Sequence, residues 1–160
     1  MAYITVTNIK IDQPIASLSE QINVTVKFDC LKSFVGKLTF EVVYVASAKN
    51  KAQDQVLDRI SLEEVEYGVN EFDWAIDPPK YEELDNIFDV FDTTVIMVLA
   101  YVNDNEFFRC SYLLRHEYKN QEHIDNPPEE FKFEDLERKI GIEKPMIAIS
   151  DVDWNKLVEA

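Results

Sequence analysis

Residues 94–115 read TVIMVLAYV, then NDN, then EFFRCSYLLR. Two stretches of strand length flank three residues that tolerate positive φ, the pattern of a β-hairpin turning at Asn103-Asp104-Asn105. In the first stretch both parities are apolar: Val95, Met97, Leu99 and Tyr101 alternate with Ile96, Val98, Ala100 and Val102. Successive side chains of a strand point to opposite faces, so a strand with one solvated face should be polar on one parity. The stretch is therefore either covered on both faces or exposes an apolar strip. Centring the turn on Asp104 sets Val95 opposite Leu113 and Leu99 opposite Arg109, all four on one side of the sheet.

The same period of two extends outward from the hairpin. Residues 3–11 alternate and stop at Asp12-Gln13-Pro14. Ile22, Val24, Val26 and Phe28 predict one strand, and Leu38, Phe40, Val42 and Tyr44 another after Gly36. Residues 54–60 form a shorter candidate. Phe72, Trp74 and Ile76 form the next, closed by Asp77-Pro78-Pro79, which cannot continue a ladder. Residues 81–91 place Leu84, Ile87, Phe88 and Phe91 at helical spacing, residues 134–140 suggest a short helix, and residues 147–154 a last strand. Many short strands with regular turn signals and only scraps of helix mean an all-β fold, an antiparallel sandwich or barrel. The Cys…Trp…Cys spacing of a true immunoglobulin domain is absent, since Trp74 lies far beyond Cys30.

A chain of 160 residues predicts one domain. Its 46% hydrophobic content, with ten Phe, seven Tyr and two Trp, excludes disorder throughout. Three glycines are too few for a Gly-rich phosphate cradle. The formal net charge is −15, with 12 acids and 8 bases in residues 1–80 against 19 and 8 in residues 81–160. Such a body repels nucleic-acid phosphate and anionic membranes, and attracts basic partners. No apolar signal core and no spanning-length apolar run is seen. Cys30 and Cys110 are expected as free, inert thiols in a reducing compartment, cytosolic or nuclear.

Catalytic constellations are lacking. His116, Glu117 and His123 have no third ligand at zinc spacing, so both histidines are expected at the surface and no metal site is assigned. No serine sits in a nucleophile elbow. The pairs Glu63-Glu64 and Glu82-Glu83 read as solvated faces. The chain is expected to be no enzyme and to use no cofactor. What remains is the hairpin strip with its one arginine, on a strongly acidic molecule. Apolar contacts there would give affinity, while surrounding acids select a basic partner.

Across the chain, ordered pieces carry a further likeness. They are Phe28-Asp29-Cys30-Leu31, residues 38–45, Ser47-Ala48, residues 54–58, Asp77-Pro78-Pro79 and Thr94-Val95-Ile96. Glu106-Phe107-Phe108-Arg109, Glu117-Tyr118, Asn126-Pro127-Pro128, Lys144-Pro145 and Trp154 continue the series. In this order and spacing the sequence resembles the anti-silencing function family of histone chaperones, from Met1 to about Trp154. The resemblance implies an immunoglobulin-like antiparallel β-sandwich with short helical connections, a histone-binding core over residues 1–155, and the start of a C-terminal tail at 156–160. It implies a nuclear, monomeric protein that binds the histone-three/histone-four dimer, covers its tetramer surface and delivers it for nucleosome assembly and disassembly, with no direct nucleic-acid or membrane contact. The histone-four tail would add as a strand.

By position, the resemblance assigns histone-three contacts to Val45, Asp54, Asp89, Val95, Arg109 and Leu113. It assigns the histone-four tail to Met97, Tyr112, Pro145 and Ile147. Docking of chromatin-assembly co-chaperones falls to Phe28, Lys37, Asp58, Ile60, Leu62 and Phe72. Gly36 and Lys37 stand where the family has an acidic pair, Leu113 where it has Tyr, and Met146 where it has a basic residue. A sandwich that solubilises prenylated GTPases through a pocket between its sheets is the alternative reading.

Overall fold

The computed structural model describes residues 2–33, 36–47, 49–141 and 143–157. Ala48 of the family-like pieces and residues 158–160 of the expected tail lie outside the described residues. Strands β1 (Ile4–Ile11), β3 (Ile22–Cys30) and β6 (Gly68–Ile76) form a three-stranded sheet in the order β1-β3-β6. The second sheet runs β2-β9-β8-β7-β4-β5, from β2 (Ile15–Ser17), β9 (Leu136–Ile140), β8 (Asn105–Tyr118), β7 (Thr94–Val102), β4 (Leu38–Val45) and β5 (Gln55–Leu62). Its seventh strand, β10 (Met146–Ile149), pairs with the other end of β8. All pairings are antiparallel. The chain is an all-β, immunoglobulin-like sandwich. Among the described residues, only α1 (Gln121–Asp125), α2 (Trp154–Leu157) and short 3-10 turns add helix to the strands.

The core follows from the alternation. Val24, Val26 and Phe28 of β3 face inward with Trp74 and Ile76 of β6. Phe40, Val42 and Tyr44 of β4 and Ile96, Val98 and Ala100 of β7 meet them from the other sheet, and every one is buried. Phe28, Phe40 and Phe72 form a ring cluster at centroid distances of 5.4–6.4 Å. Cys30 and Cys110 are free and buried.

The hairpin register is the expected one from Thr94↔Leu114 through Ala100↔Phe108, with Val95 opposite Leu113 and Leu99 opposite Arg109. A bulge follows, and Tyr101 then pairs with Glu106. The turn consists of Asn103 and Asp104 alone, at φ 46° and 67°, because two positive-φ residues give the twist that joins the strands. Asn105 already opens β8. Lys37 closes the turn from the side: its N–H donates to Asn103 Oδ1 and its carbonyl accepts from Asn103 N–H, both at 2.9 Å.

Four expectations are corrected. Residues 134–140 are a 3-10 turn, Phe133–Asp135, followed by β9, whose Leu136, Arg138 and Ile140 are buried. The charged run Glu137-Arg138-Lys139 hides a strand because Arg138 points inward and donates to the carbonyls of Glu20 and Gln21. The last strand stops at Ile149, and Trp154 instead begins α2, with its ring against Tyr3 and Phe107. Residues 81–91 contain two separate 3-10 turns, in which Tyr81 and Val90 take the buried positions while Ile87 and Phe88 stay exposed. His116 is 3% exposed, not a surface residue, and His123 is half-buried. Lys156 and Leu157 belong to α2.

Candidate functional site

The two faces of β7 resolve the ambiguity of its sequence. Even-numbered residues from Ile96 to Val102 are almost fully buried between the sheets. The odd parity faces outward, where Val95, Met97 and Tyr101 are half-buried and Leu99 is covered. Because β4, β7 and β8 are adjacent, outward residues line up in cross-strand rows. The first row is Val45, Val95 and Leu113. The second is Val56, Val43, Met97, Ser111 and Met146, crossing from β5 to β10. Val56 and Met146 are exposed, at 60% and 61%.

Charge begins at the third row: Arg59, Glu41, Leu99, Arg109 and Ala148. Arg59 lies 3.4 Å from Glu41 and 3.5 Å from Asp104, and Lys37 is 3.2 Å from Asp104. Arg109 Nη2 donates to Glu106 at 2.7 Å, while its buried Nε has no partner among the described residues. Tyr101 donates to Glu41 at 3.3 Å, and burial, together with the nearby Glu41, pushes its hydroxyl pKa up. The outer face thus divides into an apolar half and a half of paired charges.

Asp54 and Asp89 sit at the apolar end, just before β5 and β7 begin. Asp54 follows the 3-10 turn Lys51–Gln53. Its Oδ1 is buried without a hydrogen-bond partner among the described residues, and burial raises its carboxyl pKa against the opposing pull of Lys51. Asp89 lies half-buried in the turn Ile87–Phe91, which Asn86 caps by accepting from Phe88 N–H at 3.1 Å. All six residues assigned to histone three are therefore half-buried, and Val45, Val95 and Leu113 share one row.

The four residues assigned to the histone-four tail separate. Tyr112, Pro145 and Ile147 line a groove of about 240 Å³ with Val6, Ile9 and Phe108, between the edges of β1 and β10. Tyr112 fixes its wall by donating to the Ile9 carbonyl at 2.8 Å. Met97 lies on the opposite side of the sheet, in the second outer row. The docking residues gather where the edges of β5 and β6 approach. Ile60, Leu62 and Phe72 are half-buried there, while Phe28, at 1% exposure, supports them from the core. Asp58 joins the two edges by accepting from Trp74 Nε1 at 2.8 Å.

Sequence reasoning missed Val43, Val56 and Met146 as parts of the apolar face. The signal was present for Val43, since Val42 and Val43 are both apolar and only one parity can face the core. No metal-ligating cluster occurs among the described residues, and no described helix is long and apolar enough to cross a membrane.

Comparison with known proteins places this fold. A profile described as ASF1 like histone chaperone matches residues 1–155. The histone chaperone asf1 of Dictyostelium discoideum is 30% identical over 155 residues, covering 97% of this chain and all of the relative. Histone chaperone ASF1 of Saccharomyces cerevisiae is also 30% identical over 155 residues, 97% of this chain and 55% of the relative. Histone chaperone cia1 of Schizosaccharomyces pombe is 28% identical over 160 residues, 97% of this chain and 61% of its own length. The chain thus spans little more than half of these two yeast relatives. With a match over nearly its whole length, the chain belongs to the ASF1-like histone chaperone family, which is not a class of enzymes.

Proposed function

We propose that the outer face of the seven-stranded sheet binds the histone-three/histone-four dimer, covers the surface through which two dimers pair, and delivers the dimer in the nucleus for nucleosome assembly and disassembly. The observation that carries this reading is the row Val45–Val95–Leu113, extended by Met97, Val43, Val56 and Met146, on the outside of a −15 molecule. An apolar centre of this kind loses water on contact and supplies affinity, whereas rim charges supply orientation and rate. Asp54 and Asp89, at the apolar end, would meet histone Lys or Arg, and Arg109, at the other end, an acidic or carbonyl group. The mechanism is stoichiometric shielding, in which a bound dimer has no free apolar surface with which to aggregate.

The groove between β1 and β10 suits the histone-four tail, which would pair with the free edge of β10 and seat an apolar side chain against Tyr112, Pro145 and Ile147. Co-chaperones would dock over Ile60, Leu62 and Phe72, with Lys37 and Asp58 at the margin. The alternative of a lipid pocket between the sheets has less support, because Val26, Phe40, Val42, Ile76 and Val98 fill that space.

Val95→Arg tests the proposal. The position is half-buried in the free protein, so the fold tolerates the change, but a guanidinium at the centre of a desolvated contact costs several kcal/mol, roughly a 100-fold or greater loss. Calorimetric titration with the purified dimer is expected to lose its signal. Wild-type affinity for this variant would remove the outer face from consideration.

A further inference from the structure

A second apolar surface lies on the inner side of β8, beyond the end of the small sheet. His116 and Tyr118 point there, on the side opposite Leu113. The segments 87–91 and 121–133 cover this end with rings in unbroken contact. Phe131 sits 5.5 Å from Phe88 and 5.0 Å from Phe91, Phe91 5.4 Å from Tyr118, and Tyr118 5.7 Å from His123. Phe88 is 58% exposed, and Ile87 and Ile124 are 44% and 48% exposed. Phe91, Tyr118 and Ile124 border a hollow of about 360 Å³ with Glu117. Single exposed apolar residues are ordinary, but a contiguous aromatic surface around a hollow marks a contact site.

Its setting gives the sign of the partner. Asp92, Glu122 and Glu130 each adjoin a ring of the cluster in sequence and Glu129 lies two residues before Phe131; all four are exposed, and none has an ion-pair partner among the described residues. Of the adjoining bases, Lys119 donates to Ser17 Oγ at 2.9 Å and Lys132 lies 4.0 Å from Glu134. Like charge disfavours a second copy of this chain on the same patch, and it disfavours an anionic membrane. Asn86 and Asn120 cap the two turns that present Phe88 and Ile124, so the surface is formed before contact.

We infer that this patch docks a short Lys/Arg-rich segment with one large apolar anchor, from a partner protein other than the histone dimer, the anchor entering the hollow beside Phe91, Tyr118 and Ile124. The patch and the Val45–Val95–Leu113 row lie on opposite sides of β8, and the turn Ile87–Phe91, which also carries Asp89, borders both.

The test uses the full chain and a fluorescent peptide with a central Phe between Lys-Arg pairs, read by anisotropy. Two controls replace the Phe by Ser or the bases by Asp. The expected result is saturable binding to the parent and to Val95→Arg. Phe88→Ser and Ile124→Ser should each lose about tenfold or more, as anchor contacts do. Both side chains are exposed, so neither change opens a core cavity. Both control peptides should bind weakly, and salt should weaken the parent peptide. Equal binding by Phe88→Ser and Ile124→Ser, loss in Val95→Arg alone, equal binding of the Asp peptide, or self-association of the peptide-free chain in sedimentation would each overturn the inference.

Discussion

The hydroxyl of Tyr81 lies 2.9 Å from Nε2 of His116 inside the sandwich, and this bond fixes the imidazole in one neutral form. The other nitrogen, Nδ1, is 3.0 Å from the Val90 carbonyl, which can only accept, so Nδ1 carries the proton and Tyr81 donates to Nε2. Two loop residues, Tyr81 and Val90, are thereby tied to one position on β8. Arg138, across the β8–β9 pair from His116, is 1% exposed and adds a positive charge to the same pocket. Tyr44 packs edge-on against both Tyr81 and His116.

This arrangement makes stability fall with acid. Burial draws the His116 pKa from 6.5 down to about 4, with Arg138 acting in the same direction and the Val90 bond opposing. The unfolded chain therefore binds the proton more readily. Stability from neutral His116 is complete above pH 6.5 and is lost as pH falls toward about 4, an amount on the order of 3 kcal/mol. Urea titrations across that window are expected to show the decline in the parent and a flatter profile in His116→Gln. Parallel profiles would place the acid sensitivity elsewhere.

Asp54 should show opposite effects on stability and binding. Its carboxyl pKa is raised by burial, so the charged form is disfavoured in the fold and the destabilisation grows as pH rises through 3.8 and above. Asp54→Asn is expected to raise the unfolding midpoint at neutral pH and to weaken histone binding, with the weakening smaller in added salt. A gain in stability with unchanged binding would detach Asp54 from the proposed contact.

The strands were legible where alternation is clean. Ile22 to Phe28 and the Val95–Leu113 register follow from period two and from Asn103-Asp104, since a buried face penalises any slip. Position-by-position likeness to the family singles out Val45, Val95 and Leu113 together from the sequence. The polar interior was not legible. Arg138 and His116 look like surface residues because their partners, Glu20, Gln21, Tyr81 and Val90, lie far off in sequence. Charged Glu137 and Lys139 flanking Arg138 mimic a solvated helix. Residues 81–91 misled through their spacing: two separate 3-10 turns stand in place of one helix, and they bury Tyr81 and Val90 while Ile87 and Phe88 stay exposed.

Arg109 separates binding from folding. Its ion pair with Glu106 is partly exposed, and such pairs contribute about 0–1 kcal/mol. Arg109→Ala is expected to leave the urea midpoint nearly unchanged while weakening histone-dimer affinity by about tenfold or more, as a lost interface arginine does. A large fall in stability would instead make Arg109 a part of the sheet's own structure.

Asp58 should behave in the reverse way. Its carboxylate accepts from the indole of Trp74, which is 6% exposed, and also from the Arg59 N–H at 2.8 Å. The bond crosses from β5 to β6, the edges on which co-chaperone docking is proposed. Asp58→Ala strands a buried indole donor, a loss of about 1–3 kcal/mol, and opens the two edges to relative movement. A double-mutant cycle with Trp74→Phe should recover much of that loss as coupling, because Phe has no donor to leave unpaired. Additive losses would mean that the two side chains act independently. Reduced docking in Asp58→Ala would then report a direct contact instead of a loosened edge.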